Sequence, residues 1–362
     1  MQTAIPYRQF RGGSSKGLFF KATDLPADEA SRNKIILAAM EGVGQGDLRQ
    51  IDGLGGGTSL TSKVAIVSLS KDKNADIDYL FLQVVIGKGK IATIQTCGNI
   101  LAGVVPFAVE CGMIKANNPT TSARVNMLNT GGICEVTIQT PGGKVNYEGD
   151  AKVDGVPGTA APIICNYLGT AGSTCGTLLP TGNLKDIVDG IEVTCIDNGM
   201  PEVIIRAGDL GITGYEMPAE LDANKVLKNK LESIRLQIGP KMNLGDVKDL
   251  TVPKMCMVSP PLNGGTINTR TFIPHICHEA IGVLGAVSTA TACVLKGTVM
   301  DDMAVVYDEH NLSIEHPTGE FTVCLNITNK NSNIIINRAG VIRTARLLSK
   351  GEVFIPGNIA NF

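Results

Sequence analysis

The sequence predicts an α+β fold of two pseudo-symmetric lobes, each a strongly curved, mostly antiparallel sheet wrapped around a central apolar helix, with the active site in the cleft between them. Three observations carry this. The chain repeats itself: residues 17–25 align without a gap on 202–210, 62–68 on 253–259, and 97–104, more weakly, on 276–283, at offsets of 185, 191 and 179. Three matches in one order at nearly one offset point to a duplicated unit of about 180 residues. Short β-branched runs bounded by Gly, Asn, Asp or Pro dominate both halves. Each half also holds one helical segment without a polar face, which must be covered on every side. The 362 residues divide on this basis into lobes 1–183 and 184–362, with the last strands candidates to cross back to the first lobe.

Strands are predicted at 64–68, 79–86, 135–139, 191–195, 203–206 and 321–327. Residues 26–41 begin with acidic groups and continue with apolar spacing, and 218–237 are amphipathic and charged, so both read as surface helices. Residues 99–111 and 278–295 are the two buried helices.

Composition removes several classes of function. With 32 basic against 34 acidic side chains, a formal charge of −2 and no Lys/Arg block, nothing attracts a phosphate backbone or an anionic membrane. Trp is absent and aromatics are 4%, so base- and sugar-stacking surfaces are scarce. No run approaches the roughly 18 apolar residues of a membrane span, and the N-terminus lacks a basic region followed by an apolar stretch. Ten cysteines without a C-x-x-C pair read as reduced, mostly buried thiols. A cytoplasmic protein is expected. Oligomeric state is not readable, although the strand edges of paired lobes are what a homodimer would cover.

Four motifs offer chemistry. Arg11-Gly-Gly-Ser-Ser-Lys-Gly17 fails the P-loop spacing. It is either a hairpin turn with incidental serines or a carboxylate site in which Ser14, Ser15 and Lys16 join backbone N–H groups. Asp52-Gly-Leu-Gly-Gly-Gly-Thr-Ser-Leu-Thr-Ser-Lys63 offers a concave nest at Gly57, Thr58 and Ser59, followed by a lysine that either faces that nest or guards a strand edge. Its repeat partner, Lys254, favours the first alternative. Thr96-Cys-Gly-Asn99 opens a buried helix, where the positive end of the macrodipole favours a thiolate at Cys97 and the amides of Gly98 and Asn99 suit a carboxylate. The fourth, His275-Ile-Cys-His278, has no second ligand pair, so no metal is expected, and His278 reads as a polar group at the second helix N-terminus.

Taken together, GGSSKGLFF, DGLGGGTSLTSKVAIVS, TCGNILAGVVPFAVECG, EVTCIDNGMPEVIIRAGDLGITG, KMCMVSPP and EHPTGE resemble the methylaconitate cis-trans isomerase and methylitaconate Δ-isomerase family, whose fold is that of diaminopimelate epimerase. The resemblance runs nearly end to end. It implies a cofactor-independent shift of a C=C bond in a small unsaturated di- or tricarboxylate, with Lys63 moving the proton and Cys97 at the other polar position. Ser14, Ser15, Thr58, Ser59, Lys254, Arg270 and His278 would then clamp the carboxylates. The substrate placed first is 3-methylitaconate, with 2-methylaconitate and oxalomesaconate as alternatives. The second-half signature Ala-Cys-Gly-Thr-Gly of the epimerases is missing; Ile276-Cys277-His278-Glu279 stands there instead. A two-thiol racemase or epimerase would have to use Cys277, and a silent carboxylate-binding protein would keep only the clamps.

Overall fold

The computed structural model describes residues 1–43, 46–93, 96–330 and 333–359. The chain divides into one unit of residues 1–166 plus the segment from 342 onward, and a second of residues 167–341. In chain order the elements are β1 (Gln2–Gly12), β2 (Ser15–Lys21), α1 (Glu29–Glu41), β3 (Lys63–Leu69), β4 (Ile77–Val85), β5 (Lys90–Ala92), α2 (Gly98–Leu101), α3 (Val104–Glu110), β6 (Thr120–Met127) and β7 (Gly132–Gln139). After β8 (Ile163–Leu168), which spans the unit boundary, come β9 (Asp186–Val188), β10 (Ile191–Asp197), β11 (Pro201–Arg206), α4 (Pro218–Ala223), α5 (Lys225–Ile238), β12 (Lys254–Ser259), β13 (Ile267–Phe272), α6 (Val283–Val294), β14 (Asn311–His316) and β15 (Gly319–Lys330). The chain ends with β16 (Asn333–Arg343) and β17 (Ala345–Pro356).

The repeat seen in the sequence is a repeat of strand register. In the first unit β2 runs parallel to β3 with Gly17 opposite Lys63 and Phe20 opposite Ile66. In the second, β11 runs parallel to β12 with Glu202 opposite Lys254 and Ile205 opposite Met257. Each parallel pair continues in the same way: antiparallel to β4 or β13, parallel to β6 or β14, antiparallel to β7 or β15. The matched segments after β2 and β11 both close in a single 3₁₀ turn. Each turn carries the same ion pair, Lys21 to Asp24 at 3.7 Å and Arg206 to Asp209 at 3.6 Å.

The apolar helices sit against these sheets as expected, α2 and α3 on β1, β2, β3, β6 and β7, and α6 on β10, β11, β14 and β15. Residues 99–111, read as one helix, form two. Pro106 has no N–H to give the carbonyl of Ala102 and its ring crowds that carbonyl, so the helix stops and restarts at Gly103. The second buried helix starts at Val283 rather than 278, because His278 N–H is spent on Thr271 O at 2.8 Å, prolonging the end of β13. The third repeat match is therefore misaligned. The helix-entry residues are Cys97 and Gly282, an offset of 185 that equals that of the first match. The amphipathic segment 218–237 also divides, at Asn224, whose side chain caps α5 by accepting from Leu227 N at 3.0 Å.

One buried cation holds the outer layer of the second unit. Arg235, fully buried on α5, donates to both carboxylate oxygens of Glu232 and to the carbonyls of Val247, Lys248, Leu250 and Val252. A loop without regular structure is thereby tied to a helix. Arg235→Met keeps the volume but orphans these acceptors, and urea denaturation should show a loss of about 3 kcal/mol.

Candidate active site

Lys63 opens β3 beside Gly17 of β2, and the glycine is what allows the approach: a Cβ there would stand 2.5 Å from the Lys63 carbonyl oxygen. Lys63 is only 9% exposed. Its ammonium lies 5.2 Å from the centre of the Phe81 ring and donates to Cys97 Sγ at 3.4 Å. Cys97 is the entry residue of α2. Its carbonyl accepts from Tyr79 Oη at 3.2 Å and from Leu101 N at 2.9 Å. An amine and a thiol are thus in hydrogen-bond contact, fixed from a strand and from a helix entry.

Within Gly-Gly-Ser-Ser, Gly13 and Ser14 form the two-residue turn of the β1–β2 hairpin, with Gly13 at φ +50°. A side chain at Gly12 or Gly13 would run into Asn99. Asn99 Nδ2 donates to Ser14 Oγ at 3.1 Å, so the turn and the start of α2 are locked together. Ser15 is buried and its hydroxyl has no partner among the described residues. Strand alternation places Lys16 on the face of β2 opposite Gly17's neighbours Ser15 and Phe19, and so away from Lys63.

The glycine loop spends much of its donor capacity on itself. Gly53 N binds Gln50 O, Gly55 N binds Met40 O, Gly57 N binds Gln50 Oε1 at 3.0 Å and Thr58 N binds Thr61 Oγ1. Thr58 Oγ1 is paired with Thr61 Oγ1 at 2.8 Å, while Ser59 is exposed and its carbonyl accepts from Gln83 Nε2. The organiser is Gln50, 1% exposed, which also takes the Ser62 hydroxyl at 2.6 Å. Gln50, Tyr79, Phe81 and Gln83 were not singled out from the sequence. The last three occupy alternate positions of β4 beside β3, and that period of two was the available signal.

Lys254, Arg270 and His278 lie in the second unit. Arg270 is buried and already donates four hydrogen bonds, to Glu216 O, Asn268 Oδ1, Thr269 O and Tyr215 O, which leaves one N–H of its fork. His278 Nδ1 accepts from Ala280 N at 2.8 Å, so the neutral ring carries its proton on Nε2, and burial lowers its pKa. His275 turns elsewhere, 3.8 Å from Glu232. Cys277 sits in the apolar core of this unit, where burial and then Asp222 push its thiol up to about 12. That is a poor acid/base partner for an epimerase.

Beside Lys254 the place of Gly17 is taken by Glu202, fully buried, with Thr289 Oγ1 donating to one oxygen at 2.8 Å and the other oxygen unpartnered among the described residues. Burial raises its pKa to about 8, against the pull of Thr289 and Lys254, and burial lowers that of Lys254. Between the ordinary carboxyl value and about 8 the folded chain therefore holds a proton that the unfolded chain releases, so this group's contribution to stability falls as pH rises through that window. In Glu202→Gln this loss should vanish, which chemical denaturation at pH 5 and pH 8 would show as a smaller difference than in the parent.

A family model described as PrpF protein matches residues 2–356. The 4-oxalomesaconate tautomerase of Pseudomonas putida is 52% identical over 98% of this chain and 97% of its own. The (4E)-oxalomesaconate Delta-isomerase of a Novosphingobium species is also 52% identical, over 97% of this chain and 98% of its own. A crystal structure of methylitaconate-delta-isomerase superimposes with a TM-score of 0.88 at 32% identity, covering 100% of this chain and 98% of that one. No helix among the described residues is long and apolar enough to cross a membrane. With the family model spanning almost the whole sequence and relatives at this identity named as isomerases, the chain is an isomerase and belongs to the PrpF protein family.

Proposed function

We propose that this chain moves a proton allylically in oxalomesaconate or a close analogue, with Lys63 and Cys97 as the two proton carriers. The observation that carries the reaction type is the 3.4 Å contact between the Lys63 amine and the Cys97 sulfur. A base and an acid side by side can strip a proton from one carbon of an allylic system and return one at its other end. The carbon acid loses its proton to the base, its electron pair moves into a dienolate, and reprotonation at the far carbon or at the enolate oxygen gives the isomer. The first-turn amides of Gly98 and Asn99, which no carbonyl of their own helix reaches, with the Ser14 and Ser15 hydroxyls, would hold the developing negative charge. All of these groups belong to the chain itself.

The substrate choice rests on identity. Two relatives named for oxalomesaconate stand at 52%, against 32% for the methylitaconate enzyme, so oxalomesaconate replaces 3-methylitaconate in first place. By its name this is mesaconate bearing an oxalo group, hence three carboxylates and a ketone that acidifies the C–H to be removed. Within the second unit, Lys254, the remaining Arg270 N–H and the His278 Nε2–H are donors of the kind a carboxylate takes. The ten free thiols fit a reducing cytoplasm. Comparing kcat/KM for oxalomesaconate, 3-methylitaconate and 2-methylaconitate tests the substrate: a preference for oxalomesaconate of about tenfold or more is expected. A preference for 3-methylitaconate would overturn the substrate and leave the proton carriers standing.

A further inference from the structure

A cavity of about 400 Å³ lies wholly within the first unit, between the end of the β1–β17 pair and the segment 147–160. Arg11 and Arg346 stand directly opposite each other on β1 and β17, and both line it. Lys16 continues the row on β2, opposite Arg11. Like charges facing across a strand pair repel, and the charged group that acts on Arg11 is Arg346 itself, with no compensating carboxylate beside it among the described residues. Glu148, the acidic residue of the lining, is exposed and makes no ion pair with them.

Arg11 is half-buried and uses only Nη1 internally, on Gly13 O at 3.0 Å, Thr344 O at 3.0 Å and Thr344 Oγ1 at 2.8 Å. Its Nε and Nη2 are left over, and they belong to a planar fork suited to an oxyanion. Burial and the nearby Arg346 both lower the Arg11 pKa, the mark of a cation without compensation. Gly158 and Thr159 continue the lining. Neither Lys63 nor Cys97 lines this space.

We propose that this cavity is an anion site, separate from the Lys63–Cys97 pair, that takes a carboxylate or phosphate group between Arg11 and Arg346. An anion there would neutralise the facing cations and fix the Arg11 guanidinium. That guanidinium grips Gly13 O, and Gly13 also donates to Thr344 O at 2.8 Å. Ser14, the next residue, is the one bonded by Asn99, so occupancy stiffens the turn that borders the catalytic pair.

The test is calorimetric titration and thermal unfolding of the intact protein with inorganic phosphate and with citrate, using chloride at matched ionic strength as control. The parent and Lys63→Ala should both bind saturably and gain Tm. Arg346→Ala, a change at an exposed position, should weaken binding about tenfold, and Arg346→Glu should abolish it. Unchanged binding in Arg346→Glu overturns the proposal. Full binding retained by Arg346→Ala also overturns it, because the anion then sits elsewhere; so does a response that chloride reproduces.

Discussion

Replacing Lys63 by alanine is expected to lower kcat by about 10²–10⁴-fold while leaving the fold intact. The side chain is an end-of-strand residue whose backbone, not its amine, makes the β2–β3 pairing, so its removal leaves the sheet register in place. What disappears is the group that touches Cys97 Sγ and lies over Phe81. Circular dichroism and Tm should stay near those of the parent, and substrate should still bind, since the proposed carboxylate contacts remain. A variant that kept a tenth or more of the parent kcat would remove Lys63 from its role.

Cys97→Ser should cost about 10²-fold or more in kcat, because a hydroxyl is a much weaker acid than a thiol and a shorter reach from the α2 entry separates it from Lys63. Cys277→Ser is the informative contrast. Its thiol is buried in the second unit's core and held up to about 12, so the reaction should proceed within about threefold of the parent rate. If both substitutions abolished turnover while the fold survived, a two-thiol mechanism would have to be reinstated. Rates measured over a range of pH for both variants separate these cases from a simple loss of folded protein.

The two residues proposed as proton carriers were both singled out in the sequence, for a physical reason, and they lie in hydrogen-bond contact. Lys63 follows a glycine-rich turn at the mouth of an apolar strand and Cys97 precedes an apolar helix, and such positions are set by local pattern. The repeat was legible because it is a repeat of register: Gly17 opposite Lys63 and Glu202 opposite Lys254. Helix ends were less so. Pro106 divides a segment that reads as one helix, and hydropathy alone carries that segment through. His278 looked like a helix-entry residue because an apolar stretch follows it, yet its N–H had already been claimed by Thr271.

The glycine loop shows the other limit. Its composition suggested free amides, and only the tertiary position of Gln50, twelve residues before Ser62, reveals that several of them are used to hold the loop itself. Arg270 is similar. Its charge suggested a carboxylate clamp, while the structure shows most of its fork already engaged on backbone carbonyls. In both cases residue type announced a hydrogen-bonding capacity, and long-range contacts decided where that capacity went.

Proton NMR of oxalomesaconate in D2O with parent and Lys63→Ala enzyme tests proton transfer between carbon and the Lys63–Cys97 pair most directly. The parent is expected to introduce deuterium at the allylic carbon while the double bond moves, and Lys63→Ala to do neither at a comparable rate. Equal deuterium uptake and turnover by the two proteins would contradict a role for Lys63 in moving the proton.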